Sequence, residues 1–276
     1  MNKIQKFCSK TLLSTAMIVT SLSGTNIVHA MQPTQLEQAI AGEYRTDKHK
    51  ARDDYRHPQQ TLEFFGFKST MTVVEISPGG GWYTEILAPA LKGTGKLYAS
   101  QYPNTGKNDY YSNSRLKLEK ILSENVIFNE VMITDLKPKT SSDFAPKGTA
   151  DLVLTFRNLH NWGAKGIRQV FIDAHRALTA DGILGVVEHR MPDDRLWKEN
   201  KKSGYMPTEM IIKLAKEAGF VLADQSEINA NPKDNAMHPK GVWTLPPVLR
   251  LGKQDKAKYM AIGESDRMTL KFIKLK

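Results

Sequence analysis

The chain has 276 residues, a formal net charge of +10 and a single cysteine, Cys8. That length suits one large α/β domain with an ordinary hydrophobic core, and one cysteine excludes an intrachain disulfide framework. Lysines and arginines are scattered rather than gathered into an arm or stripe, so the charge reads as solvated surface, not as a nucleic-acid interface.

Residues 1–30 stand apart from the rest. "MNKIQKFCSK" is basic, "TLLSTAMIVTSLSG" is apolar but too short to cross a bilayer, and "VHA" offers small side chains at a signal-peptidase site. This order predicts export to the periplasm or medium with cleavage after Ala30. Removing 30 of 276 residues, with Lys3, Lys6 and Lys10 among them, leaves 246 residues and a charge of +7. Cys8 leaves with them, and cysteine chemistry is thereby excluded from the mature chain. No later segment has the length of a membrane-spanning helix, so no stable membrane insertion after cleavage is expected, and a monomer is expected.

Residues 31–66 read as a helical, polar cover, with Pro58 placed to start a short helix. Strands and helices then alternate through residues 67–276. "MTVVEI" reads as a buried strand, "WYTEILAPAL" as a helix and "GKLYAS" as a second strand. "YYSNSRLKLEKILSEN" reads as a helix, "VIFNEVMI" and "ADLVLTF" as strands three and four. "GAKGIRQVFIDAHRAL" is a helix, "DGILGVVEH" a fifth strand, "TEMIIKLAKEAG" a helix and "FVLADQSEI" a sixth strand. An Asn- and Pro-rich loop insertion, residues 230–265, precedes a closing strand in "RMTLKFIKLK". Alternation of this kind predicts an α/β fold: a mostly parallel seven-stranded sheet, helices on both faces and an antiparallel last strand.

In an open parallel sheet, ligands bind beyond the carboxyl ends of the strands. The first strand ends in "VVEISPGGGWYTEILAP", which places three consecutive glycines there. A P-loop is excluded because no Gly-Lys-Ser/Thr follows, and Thr84 stands where a dinucleotide fingerprint needs its third glycine. The remaining readings are a ligand-free strand-to-helix turn and the acidic-x-Gly-x-Gly-x-Gly loop of class I S-adenosylmethionine-dependent methyltransferases. In the latter, Glu75 takes the acidic place and Ser77 that of the first glycine, followed by Pro78, Gly79, Gly80 and Gly81. A Cβ at Gly79 or Gly81 would hold a ligand off the main chain.

Most of the mature chain resembles class I methyltransferases, and in detail a family of exported bacterial members. The resemblance is carried by "RDDYRHP", "EISPGGGWYTEILAP", "ADLVLTFRNLHNW", "GVVEHR", "NPKD…GVWTLPP" and "SDRMTLKF". The segment "FRNLHNWGAKGIRQVFIDAHRALTADGILGVVEHR" also resembles part of the quinone-biosynthesis C-methyltransferases. It implies a Rossmann-like fold, S-adenosylmethionine as cofactor and a small-molecule acceptor. Gln101 stands where the wider family carries an acid for the ribose, so that contact would lack charge assistance. Asp135, after strand three, is a candidate for the adenine amino group or a turn cap. Glu75 would accept from the cofactor's amino group or orient the loop.

Arg157 and Asn158, in the turn after strand four, would fix cofactor or substrate. Trp82 and Phe156 would face the sulfonium or pack in the core. Trp162 would cap the cavity or staple the next helix. His160 is the candidate general base, and Glu188, His189 and Arg190 at the end of strand five are placed to meet an acceptor. Arg52, Asp53 and Arg56 read as a structural ion-pair network. The histidines show no metal-ligand spacing, so no metal is expected. Because S-adenosylmethionine is made in the cytoplasm, an exported, non-catalytic ligand-binding protein on the same fold stays open as the alternative.

Overall fold

A computed structural model describes residues 33–275. Four short helices come first: α1 (Gln35–Ala41), α2 (Asp47–Lys50), α3 (Asp53–Arg56) and α4 (Pro58–Phe64). Local chemistry sets their starts. Thr34 and Glu37 form a reciprocal capping box on α1, and Pro58 opens α4, where its missing N–H costs nothing.

The alternating part follows as β1 (Thr72–Ile76), α5 (Thr84–Leu91), β2 (Lys96–Gln101), α6 (Tyr110–Glu124), β3 (Met132–Asp135) and β4 (Ala150–Phe156). It continues through α7 (Gly163–Ala177), β5 (Leu178–His189), α8 (Trp197–Asn200), α9 (Thr208–Glu217), β6 (Phe220–Ser226), α10 (Lys256–Ile262) and β7 (Arg267–Lys274). One seven-stranded sheet results, in the order β3-β2-β1-β4-β5-β7-β6. β1 to β5 pair in parallel, whereas β7 runs antiparallel to both β5 and β6. The predicted architecture is the observed one. β7 is inserted between β5 and β6, which leaves the half-exposed β6 at the edge.

Strand alternation divides the core between two faces. Val74 and Ile76 of β1 pack with Ile167, Val170, Phe171 and Ala174 of α7 and with Ile211 and Leu214 of α9. Val73 points the other way, into a cluster with Leu36 of α1, Leu62 of α4 and Ile86 and Leu87 of α5. The period of 2 in the strand and of 3.6 in α7 meet at one layer of buried side chains. α1 and α4 therefore cover a face of the sheet.

Two elements differ from expectation. "VIFNEVMI" gives a strand only from Met132, because the Asn125 side chain accepts the Ile127 N–H at 2.9 Å and winds Val126–Phe128 into a 3-10 turn. Inside the 230–265 loop the chain makes α10, a short helix whose only buried residue is Tyr259, so it lacks the apolar stripe that would announce it. Among the described residues no helix is long and apolar enough to cross a membrane.

Candidate active site

The glycine turn lies at the carboxyl end of β1, beside the switch point between β1 and β4. Ser77, Gly79 and Gly81 have φ of 53°, 60° and 79°. The Ser77 N–H donates to Ser100 O of β2 at 2.7 Å. Asn158 Nδ2 donates to Ile76 O at 3.0 Å and Ser77 O at 3.3 Å, which ties the end of β4 to the turn. Ser77 thus holds a left-handed backbone that costs a side-chain-bearing residue about 1 kcal/mol, and glycine far less. The glycines are not equivalent. Gly79 lines a cavity, and a Cβ built there meets no atom within 4 Å, so a side chain would enter the cavity space. A Cβ at Gly81 would instead face Ile121, Leu118 and Thr84 at 3.9 Å, away from the cavity lining. Gly81 is needed for its φ, and neither it nor Pro78 and Gly80 reaches the cavity.

Beneath the turn, Glu75 is 2 % exposed and accepts the Thr84 hydroxyl at 2.6 Å. Burial pushes its carboxyl up to about 7, against the Thr84 hydrogen bond and the nearby charge of Arg157. Of its two expected roles, the geometry shows the loop-orienting one.

The cavity has a volume of about 560 Å³. Ser77, Gly79 and Gln101 form one side, Arg157 to Trp162 without Leu159 form the floor, and His189 and Ser265 form the far side. The 230–265 loop closes over it with Val242, Trp243, Pro246, Pro247, Val248 and Arg250. Gln101 is buried, its Nε2 donating to Ser114 Oγ at 3.1 Å and its Oε1 accepting the Tyr102 N–H at 2.9 Å.

Four further expected site residues lie elsewhere. Asp135 is absent from the cavity lining and pairs with Arg115 at 3.2 Å and Lys137 at 3.5 Å. Trp82 turns toward the N-terminal helices, donating Nε1 to His49 O at 2.9 Å under the Arg56 guanidinium, 4.5 Å from its ring. Phe156 is buried against Tyr83, centroids 3.5 Å apart and rings 9° from parallel, because strand alternation turns it into the core. Arg190 is occupied by Asp266 at 2.8 Å and Glu227 at 2.7 Å.

The ends of β4 and β5 build the most connected polar group. Glu188 is fully buried and accepts the Leu159 N–H at 2.6 Å and the His189 N–H at 2.9 Å. Its Oε1 also meets His160 Nδ1 at 3.1 Å. Two backbone N–H groups already donate to this carboxylate, so it faces Nδ1 as an acceptor; Nδ1 then carries the proton and Nε2 is left as the acceptor nitrogen of His160. His189 Nδ1 lies 2.5 Å from Ser265 Oγ. Burial first, then the charges of His160, Arg267, Arg157 and Arg56, push the His189 imidazole well below its usual value, so it is neutral. The geometry makes His160 and His189 wall residues of the cavity, with Glu188 orienting the His160 ring and Ser265 holding that of His189.

These three side chains place their ligating atoms within 4.8 Å of one another, a grouping the spacing in sequence did not suggest. They are the described residues that could hold a metal ion. Glu188 is already committed to three N–H donors, so a cation there would compete with the His160 proton.

Sequence reasoning also missed an aromatic wall. Tyr102 and Tyr111 stand 4.0 Å apart between ring centroids, and Trp162 Nε1 donates to the Tyr102 hydroxyl at 2.7 Å. These rings separate the main cavity from a second one of about 380 Å³, reached by Leu136 to Thr140. The signal was present in "SQYPN" and "DYYSN", where aromatic residues crowd the start of the loop after β2 and the first turn of α6. Trp162 also precedes α7, so it both lines the cavity and opens that helix.

No protein-family model matches the chain. No curated protein matches it either. Solved structures do resemble it. One is a sarcosine dimethylglycine methyltransferase, so described provisionally, from Galdieria sulphuraria, 11 % identical with a TM-score of 0.57, covering 83 % of this chain and 88 % of that one. A second is geranyl diphosphate methyltransferase in complex with S-adenosylmethionine, 12 % identical with a TM-score of 0.53, covering 86 % and 94 %. A third is the cyclase SpnF, 14 % identical with a TM-score of 0.55, covering 88 % and 97 %. The chain therefore has the Rossmann-like fold of class I methyltransferases. That fold also carries a cyclase, so the reaction has to be argued from the site.

Proposed function

We propose that the chain is an S-adenosylmethionine-dependent methyltransferase acting on a small-molecule acceptor. The observation that carries this reading is the bare, left-handed turn at Ser77 and Gly79, opening into the cavity that His160 also lines. The residues fit the cofactor: Gly79 leaves free the space that a Cβ would fill, and Arg157, Asn158 and Gln101 bring polar groups to the same wall. When bound, S-adenosylmethionine supplies a methyl group activated by its sulfonium.

The protein's own part is orientation and proton transfer. His160 Nε2 takes the proton that the acceptor releases as it gains the methyl group. Glu188 holds the imidazole in the tautomer that leaves Nε2 free, and stabilises the imidazolium that forms. Trp243 and the two prolines of the covering loop shield that exchange from water. Asn158 sets the turn against β4, and Tyr102 and Trp162 offer flat apolar faces to a ring.

Calorimetry of the purified mature chain with S-adenosylmethionine tests the reading. Binding is expected, and Gly79→Val is expected to lower the affinity at least tenfold by filling cavity space. Some stability will be lost as well, because valine is strained at a φ of 60°. Ala at the same position shares the strain but not the bulk, so the Val–Ala difference isolates the steric term. Absence of binding to the wild-type chain would remove the methyl-transfer reading and leave the fold.

Residues 1–30 lie outside the described residues, and their order of basic, apolar and small side chains supports export with cleavage after Ala30. We read the mature chain as a helical cover, residues 31–66, on a methyltransferase domain, residues 67–276. Protein recovered from the periplasm or medium should begin at Met31 on N-terminal sequencing. An intact Met1 in the cytoplasmic fraction would overturn this.

A further inference from the structure

The cavity holds more positive charge than methyl transfer uses. Arg52, Arg157 and Arg250 line it, and Glu264 is the one carboxylate in its lining. Glu264 is already shared among three arginines, accepting from Arg52 Nε at 2.5 Å, Arg56 Nε at 3.3 Å and Arg267 at 2.6 Å. Even so, Arg56 Nη1 and Arg267 Nε stay buried without a partner.

Arg157 is the most exposed to this imbalance. Among the described residues its guanidinium makes no hydrogen bond or ion pair; only its backbone N–H is bonded, to Val187 O at 2.7 Å. Its φ of 61° is a left-handed backbone that a side-chain-bearing residue adopts at a cost. Burial and the charge of Arg267, against the pull of Glu264, bring it down to about 10, as expected of a cation short of counter-charge. Arg250 reaches the cavity from the covering loop with no acid partner among the described residues, its guanidinium 4.9 Å from the Trp243 ring centroid.

S-adenosylmethionine does not neutralise such a wall. It brings a sulfonium and an ammonium against a single carboxylate, so it adds positive charge. The missing negative charge has to come with the other reactant. We propose that the acceptor is an anionic small molecule whose carboxylate or phosphate group is held by Arg157 and Arg250. The planar guanidinium offers paired donors that match either group. The word acceptor rests on the methyl-transfer reading; the anion site does not.

Inorganic phosphate and malonate serve as probes in calorimetry of the purified mature chain, free and saturated with S-adenosylmethionine. At least one is expected to bind in both states, more weakly as ionic strength rises. Its affinity should fall at least tenfold in Arg157→Gln and in Arg250→Gln. S-adenosylmethionine affinity should stay unchanged in Arg250→Gln. Arg157→Gln should also melt higher than the wild type, because an uncompensated charge has been removed. If neither anion binds, or if both variants bind as the wild type does, the proposal falls. It falls too if the cofactor abolishes anion binding and decarboxylated S-adenosylmethionine restores it, since Arg157 then serves the cofactor's own carboxylate. Anion binding without any S-adenosylmethionine binding would overturn the methyl-transfer reading and support the anion site.

Discussion

Replacing His160 with alanine is expected to lower methyl transfer roughly a hundred- to ten-thousand-fold while S-adenosylmethionine still binds. The imidazole is 8 % exposed, lines the cavity and is oriented by a carboxylate with no exposure of its own. A residue held for packing alone would not need a buried carboxylate to fix its tautomer. Glu188→Gln separates the two contributions. Three donors converge on Glu188, from Leu159, His189 and His160, and a glutamine side chain offers one acceptor oxygen and one NH2 that repels a donor. The imidazole should then turn or change tautomer, and turnover should fall toward the His160→Ala level with some loss of stability. Acceptors come from a screen of envelope extracts with radiolabelled cofactor, anionic fractions first. A variant that loses cofactor affinity and stability together, with turnover per bound cofactor unchanged, would show His160 to be a structural loop residue.

The sheet was legible because its signals are local. "ADLVLTF" is β4 residue for residue, and the apolar spacing of Ile167, Val170, Phe171 and Ala174 is that of one helix face. The glycine turn was legible too, since a left-handed backbone at the end of a buried strand leaves its mark in residue type. Facing was not legible. Gly79 and Gly81 look alike in sequence, yet one opens to the cavity and the other to α6. Trp82 and Asp135 sit at the expected ends of elements but turn toward other partners, His49 in one case and Arg115 in the other. Contacts made across long stretches of chain were the least visible. Arg52 and Glu264 are 212 positions apart, and no periodicity joins "RDDYR" to "GESDR". The ion-pair network expected around Arg52, Asp53 and Arg56 exists in part, but Asp53 serves Arg45 at 2.7 Å while the two arginines serve Glu264.

That last junction carries the largest expected effect on stability. Glu264 is 4 % exposed, and it is the shared acceptor for Arg56, 3 % exposed, Arg267, 1 % exposed, and the cavity-lining Arg52. Through it, α3 is fastened to the segment that leads into β7, so the N-terminal helices and the closing strand share one electrostatic joint. Removing one partner of a buried ion pair strands the others, which typically costs about 3–5 kcal/mol. Glu264→Gln should therefore lower the unfolding free energy from urea denaturation by an amount in that range at constant m-value, with Arg56→Met recovering part of the loss by removing one stranded charge. The pH dependence has a definite sign. Burial alone would raise the Glu264 carboxyl, but Arg267, Arg56 and Arg52 outweigh it and hold the group well below the ordinary carboxylate range. A depressed folded value means that the contribution is fully present above the unfolded value near 4.5 and is lost only as pH falls toward the folded one. Glu75 works in the opposite direction, since its folded value of about 7 makes its contribution fade as pH rises from 4.5 to 7. Wild-type stability measured across pH 3 to 8 should thus decline on both sides, and Glu264→Gln should flatten the acid side alone. An unfolding free energy within about 1 kcal/mol of wild type would mean that the arginines find other partners, and the joint would not be what holds the helical cover in place.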